Sequence, residues 1–235
     1  MEVRKLAAAF RKHGLKKGDR VCGFIPNSTF AVIAMLATAS IGAIYSTTAP
    51  DFGTTAVLER FDQIGPKFLF AANAVIYRGT RHDQIPKIKP IVQGLPMLQK
   101  TIICNFLEDD DASSPSFDLS EIPNAVRYED FVNSSLQDPE NPPEHEFEQV
   151  PFNHPLYILF TSGTTGKPKC LVHSAGGTLI KHMEEHILQG DLRPSDTIFF
   201  YTTTGWMMFH WLISALSVGA TVVLYDGSPF HPSPT

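Results

Sequence analysis

Leu159-Phe160-Thr161-Ser162-Gly163-Thr164-Thr165-Gly166-Lys167-Pro168-Lys169 is the stretch from which the rest of this 235-residue chain is best read. The apolar run Pro155-Leu156-Tyr157-Ile158-Leu159-Phe160 leads into it, and Cys170-Leu171-Val172-His173 follows. Both flanks are short, bounded and rich in aromatic or β-branched residues, so both are expected to be strands. Between them, glycines let backbone N–H groups approach a ligand, hydroxyls add hydrogen bonds and lysines supply positive charge. That mixture suits an anionic ligand with many oxygens, such as a polyphosphate. A P-loop is excluded by spacing, because it needs four residues between its glycines and a Lys-Ser/Thr ending that opens into a helix. Here only Thr164 and Thr165 separate Gly163 from Gly166, and Pro168 follows Lys167. The plainer alternative is a ligand-free Gly/Ser/Thr turn, which the hydroxyls crowded beside two lysines argue against.

Upstream of this loop, helix-like and strand-like segments alternate. Residues 3–10 form an amphipathic pattern closed by Gly14, and 20–25 read as a buried strand. Asn27 or Ser28 caps an apolar helix over 30–41, and 43–46 return as a strand. A helix over 54–64, with Ala56, Leu58 and Phe61 on one side, stops at Gly65-Pro66. Residues 68–71 are a strand, 83–92 a helix despite Pro86 and Pro90, and 101–104 a strand. Such alternation implies crossover connections and an α/β fold with doubly wound, mostly parallel sheets. The acidic run Glu108-Asp109-Asp110-Asp111 and the segment Asn141-Pro142-Pro143 break the rhythm, as a solvated loop does. The expected organisation is therefore a first subdomain over 1–107, a connecting loop over 108–150 and a second subdomain over 151–235. In the second, 177–188 and 206–217 read as helices, and 196–201 and 220–225 as strands.

The phosphate-loop sequence resembles the signature of the acyl-adenylate-forming enzymes, which include acyl-CoA synthetases and luciferases. Three further segments narrow the resemblance to the acetoacetate–CoA ligases: Ser46-Thr47-Thr48-Ala49-Pro50-Asp51-Phe52-Gly53, the run from Lys169 to Ile180, and Tyr201-Thr202-Thr203-Thr204-Gly205-Trp206-Met207-Met208. The resemblance implies ATP-dependent activation of acetoacetate to acetoacetyl-AMP, then transfer to coenzyme A, a use of ketone bodies for lipid synthesis. It implies that Thr161, Ser162, Gly163, Thr164, Thr165, Gly166 and Lys167 hold the ATP phosphates, with Mg²⁺ bridging phosphate oxygens. Thr161, Lys167 and Trp206 are then the catalytic candidates. Gly205, Trp206, Met207 and Met208 are expected to shape a small apolar acyl pocket, although an aromatic-Met helix start in the core reads the same way. Arg78-Gly79-Thr80-Arg81 is similar to a coenzyme A phosphate contact of short-chain acyl-CoA synthetases, departing at Thr80, and makes Arg78, Gly79 and Arg81 candidates. The family's ribose-binding aspartate, adenine pocket, hinge and small C-terminal domain are expected beyond Thr235, and a region is expected ahead of Met1. A chain cut in this way is expected to be a fragment with an exposed sheet edge and little or no ligase activity alone.

Composition sets the remaining bounds. Hydrophobic residues at 43% and charged residues at 18% fit a globular protein, and a net charge of −5 gives no basic footprint for nucleic acid. No stretch approaches the roughly 18 apolar residues of a membrane span. Cys22, Cys104 and Cys170 lie in apolar runs without a C-x-x-C pair, which suggests buried thiols and a cytosolic setting. His182-Met183-Glu184-Glu185-His186 matches the H-x-x-E-H pattern of some zinc hydrolases. Two histidines on a polar helix face are the commoner explanation, and no convincing third ligand follows, so no metal site is expected and a zinc-dependent hydrolase using His182 and His186 stays a minor alternative.

Overall fold

Most helices in this computed structural model follow from a local signal in the sequence. The structure describes residues 1–107, 118–138, 142–162 and 166–232. Helix α1 (Glu2–Lys12) ends as Gly14 takes a left-handed φ of 79°. Strand β1 (Arg20–Phe24) leads to α2 (Thr29–Ser40), whose first turn is capped by Ser28 Oγ accepting from Ala31 N–H at 3.4 Å. After β2 (Ile44–Thr48), α3 (Thr54–Ile64) stops where Gly65 adopts φ 55° ahead of Pro66. Then come β3 (Phe68–Ala72), the hairpin β4 (Ala74–Tyr77) and β5 (Thr80–Asp83), α4 (Ile85–Gln93) and β6 (Lys100–Cys104). The second half holds β7 (Ala125–Arg127), α5 (Tyr128–Asn133), β8 (Pro155–Phe160), β9 (Cys170–Ser174) and α6 (Ala175–Met183). A π-helical turn over Glu184–Gln189 extends α6. Next are β10 (Thr197–Phe199), α7 (Met207–Ser214), a 3-10 turn over Ala215–Val218 and β11 (Thr221–Val223).

Seven strands form one sheet in the order β7-β6-β3-β1-β2-β8-β9, parallel throughout except for the antiparallel β8–β9 pair. Period-two alternation separates its two faces. Val21, Phe68, Phe70 and Tyr157 pack with α1, α2 and α7 through Leu6, Phe10, Met35, Phe209 and Ile213. Cys22, Phe24, Leu69 and Ile103 pack on the other side against Val57, Phe61, Ile88 and Ile91 of α3 and α4. Helices on both faces make the sheet doubly wound, as its alternation of segments implies.

Several details differ from the sequence reading. Strand β8 belongs beside β2, with Tyr45 opposite Tyr157, so the phosphate-loop hairpin extends the first sheet. Residues 118–138 of the expected connecting loop contain β7, paired with β6, and α5, whose Phe131 packs on Phe10 and Phe68. The acidic run 108–111 and Asn141 lie outside the described residues. Helix α3 buries Val57 and Phe61, while Ala56 and Leu58 are only half-buried. Helix α6 starts two residues early, at Ala175; Gly176 accommodates the Phe152 ring, which would lie 2.2 Å from an added Cβ. Cys22 and Cys104 are buried thiols, but Cys170 is half-exposed because β9 is the sheet edge. Leu171 and Val172 stand exposed on that same strand.

Candidate functional site

The loop expected to bind phosphate leaves the carboxyl end of β8. Parallel α/β sheets place ligands at this edge, where strand-to-helix connections diverge. Its base is closed by Thr161 N–H donating to the Lys169 carbonyl and Lys169 N–H donating to Thr161 Oγ1, both at 3.0 Å. Ser162, Gly166 and Lys167 are exposed, and Gly166 has φ 152°, a backbone state that side chains rarely adopt. Gly163, Thr164 and Thr165 lie outside the described residues.

Trp206 sits beside the same edge. Thr204 Oγ1 donates to the Ile25 carbonyl at 2.8 Å, and Asn27 Nδ2 donates to the Thr202 carbonyl at 3.4 Å. Gly205 lies so close to β2 that an added Cβ would be 3.5 Å from Thr48 Cα. The segment 202–205 is therefore pinned across the ends of β1 and β2, and Trp206 caps α7 with its side chain 67% exposed. Met207 is exposed and Met208 half-buried. Within the helix expected over 206–217, the buried part runs only from Phe209 to Ala215, and Leu216 and Ser217 are exposed.

A cleft of about 510 Å³ opens between this segment and the β4–β5 hairpin. Its walls carry Asp51, Arg81, Lys87, Tyr201, Tyr225 and Asp226. Burial, then the neighbouring Asp51, pushes the Asp226 carboxyl up to about 6. Lys87 Nζ donates to the Pro50 carbonyl at 2.9 Å, which fixes its ammonium at the rim. Arg78 and Gly79 form the two-residue tip of the hairpin, with φ 51° and 74°. Two left-handed residues in succession are what a type I′ turn requires, so the glycine is explained by the turn itself. Arg78 lies 5.5 Å over the Tyr77 ring, whereas Arg81 lines the cleft.

His182 and His186 are buried, so the polar helix face expected for them is corrected. The π-helical turn swings His186 onto α7. Its Nε2 faces the Trp211 carbonyl at 2.9 Å and the Ser214 hydroxyl at 3.0 Å, and its ring lies 4.7 Å from that of Trp211. A nitrogen donating to a carbonyl has no lone pair for a metal. Among the described residues, no three His, Cys, Asp or Glu side chains come together as ligands. No helix among them is long and apolar enough to cross a membrane.

A family model described as AMP-binding enzyme matches residues 1–235. The chain belongs to the AMP-binding enzyme family. Within that family it is 55% identical over 228 residues to the acetoacetyl-CoA synthetase of Gallus gallus, an alignment covering 97% of this chain and 33% of the relative. It is 45% identical over 230 residues to the acetoacetyl-coenzyme A synthetase of Rhizobium meliloti, covering 98% and 34% of the two chains. The solved acetoacetyl-CoA synthetase from Streptomyces lividans superimposes with a TM-score of 0.86 at 39% identity, over 99% of this chain and 34% of that one. The chain thus spans about a third of the length of the relatives it matches.

For a member of the AMP-binding enzyme family, the described site residues fall into two groups. Thr161, Ser162, Gly166 and Lys167 gather on one hairpin, while Arg81 lies in the cleft whose far wall includes Thr204. None of the described loop residues lines that cleft. Lys87, Tyr201, Tyr225 and Asp226 carried no sequence signal as site residues, because nothing in their local pattern says that crossovers bring them together.

Proposed function

We propose that this chain supplies the ATP-phosphate hairpin and one wall of the acyl and thiol sites of an acetoacetate–CoA ligase. The observation that carries the reading is the hairpin of residues 161–169, closed at its base and exposing Lys167, beside a pinned Trp206 at the carboxyl edge of one parallel sheet. The names of the similar proteins point the same way.

In the first step, a carboxylate oxygen of acetoacetate attacks the α-phosphorus of ATP, the bond to the β-phosphate oxygen breaks, and pyrophosphate leaves. The Lys167 ammonium offsets charge gathering on the pyrophosphate, and the hydroxyls of Thr161 and Ser162 with nearby backbone N–H groups orient its oxygens. The exposed hydroxyl of Ser162 suits a hard cation as a minor ligand, and Mg²⁺ carried on the phosphates would add further charge neutralisation. Trp206 bounds the acid and keeps water from the mixed anhydride. In the second step, the thiol of coenzyme A gives its proton to solvent as its sulfur attacks the acyl carbon, the bond from that carbon to the phosphate oxygen breaks, and AMP leaves. Arg81 and Lys87 give the cleft cationic groups for an anionic thiol carrier, with Arg78 and Gly79 at its hairpin tip. Three cysteines without a disulfide agree with a reducing, cytosolic setting.

Residues 1–235 alone are about a third of the relatives' length, and we infer weak or no turnover from this stretch by itself. The test is acetoacetate-dependent exchange of pyrophosphate into ATP by the purified chain, with acetate as a competing acid. Exchange that needs acetoacetate and disappears in Lys167→Ala supports an assembled adenylation site. A folded sample that neither exchanges nor binds Mg²⁺-pyrophosphate refutes the phosphate reading.

A further inference from the structure

Helix α3 touches both limbs of the phosphate hairpin. Gln63 Nε2 donates to the Pro168 carbonyl at 2.9 Å, and the Cys170 thiol donates to Gln63 Oε1 at 3.7 Å. The same nitrogen donates to the Glu59 carbonyl at 2.5 Å one turn back, which holds the amide in a single orientation. Three residues earlier, and so on the same helix face, the Arg60 guanidinium lies 6.0 Å over the ring of Phe160 and 4.9 Å over that of Phe52. Arg60 Nη1 is tied to the Ala56 carbonyl at 2.7 Å. Phe160 is the last residue of β8, and Pro168 to Cys170 lead into β9. The two contacts therefore bracket the loop, one on each limb.

We propose that Gln63, assisted by Arg60, is the positioning residue that presets the spacing of the hairpin limbs for phosphate; this rests on the reading of the loop as a phosphate site. Fixing the limbs of a hairpin around a ligand costs backbone conformational entropy. Limbs already held at the right separation leave less of that ordering to be done on binding. Within the hairpin itself, the contacts that close the base are the two between Thr161 and Lys169. An amide at position 63 is specific for this task, since it donates to a carbonyl and accepts from a thiol at once. A glutamate there would face the Pro168 carbonyl without a proton to donate, and an asparagine is one methylene short. Arg60 holds its limb through ring contact and is the weaker half of the clamp.

The test uses the whole chain, with Mg²⁺-pyrophosphate as the calorimetric probe, amide hydrogen exchange over residues 166–170, and the melting temperature. Gln63→Met, which keeps the length of the side chain and loses both polar contacts, is expected to bind pyrophosphate about three- to tenfold more weakly. Exchange at Lys169 and Cys170 is expected to rise, while the melting temperature stays within about 2 °C, because a surface contact contributes little to global stability. Gln63→Glu is expected to fall with it, which separates the donor from the shape. Wild-type affinity and unchanged exchange in Gln63→Met overturn the proposal, as does a loss of affinity accompanied by faster exchange throughout the sheet. If the wild type binds no pyrophosphate, the phosphate reading fails by itself. In that case faster exchange confined to residues 166–170 in the variant supports the clamp, and unchanged exchange there overturns it.

Discussion

Thr161 and Lys169 hold each other twice at 3.0 Å, once through the Lys169 carbonyl and once through the Thr161 hydroxyl. The hydroxyl of a candidate catalytic residue is thereby an acceptor in the base of its own loop, with its proton still available to a ligand. Thr161→Val is expected to lose that acceptor and weaken Mg²⁺-ATP binding by about three- to tenfold, the loss of one hydrogen bond. Thr161→Ser is expected to bind like the wild type. Isothermal calorimetry on the three proteins checks this, and equal affinity for Val and Ser would remove the hydroxyl from the argument.

Asp226 makes the cleft sensitive to pH. Its folded-state value of about 6, raised by burial and by Asp51, lies above the ordinary 3.8, so the folded protein holds this proton more tightly than the unfolded chain. The stability it contributes is full below about 4 and lost as pH rises through 6. Asp226→Asn is expected to melt a few degrees higher than wild type at pH 7.5 and at the same temperature at pH 4. An anionic ligand in the cleft is expected to bind wild type better at pH 5.5 than at pH 7.5, and the variant with little change. Melting curves and binding at the two pH values decide both points.

His182 and His210 act in the opposite direction. Burial is the first cause in both, lowering His210 to about 3 and His182 to about 4. His210 is fully buried, with its ring 4.1 Å from that of Tyr157 and no hydrogen-bond partner for Nε2. The unfolded chain takes up these protons near 6.5, so stability falls as pH drops from 6.5 toward 4. Urea midpoints between pH 7 and pH 4 are expected to decline, and to decline less steeply in the double variant His182→Asn/His210→Asn. An unchanged slope would mean that neither imidazole stays neutral in the fold.

Much of this molecule is legible in its linear pattern because the signals are local. Ser28 caps α2 with its own hydroxyl, Gly65 and Pro66 end α3, and the short apolar run Phe68-Leu69-Phe70 marks a strand, which the structure buries on both faces. The phosphate hairpin is likewise contained within nineteen or so neighbouring residues, so its residue types and its rejection of a P-loop are readable without a fold. Strand partners are a different matter. That β8 lies beside β2, and that β7 extends the far edge, depends on which apolar faces the crossovers leave open, and no local pattern carries that information.

The sequence by itself determined the alternation of elements, the chemistry of the loop and the family resemblance, since each is written in residue type and spacing. Tertiary structure alone decided that Gln63 and Arg60 grip the limbs of that loop from α3, that Asp51 and Asp226 share a cleft, and that His182 and His186 face the core. Those relations join residues a hundred or more positions apart, or turn on which face a helix buries. Their energies come from desolvation and from contacts that exist only once the sheet has closed.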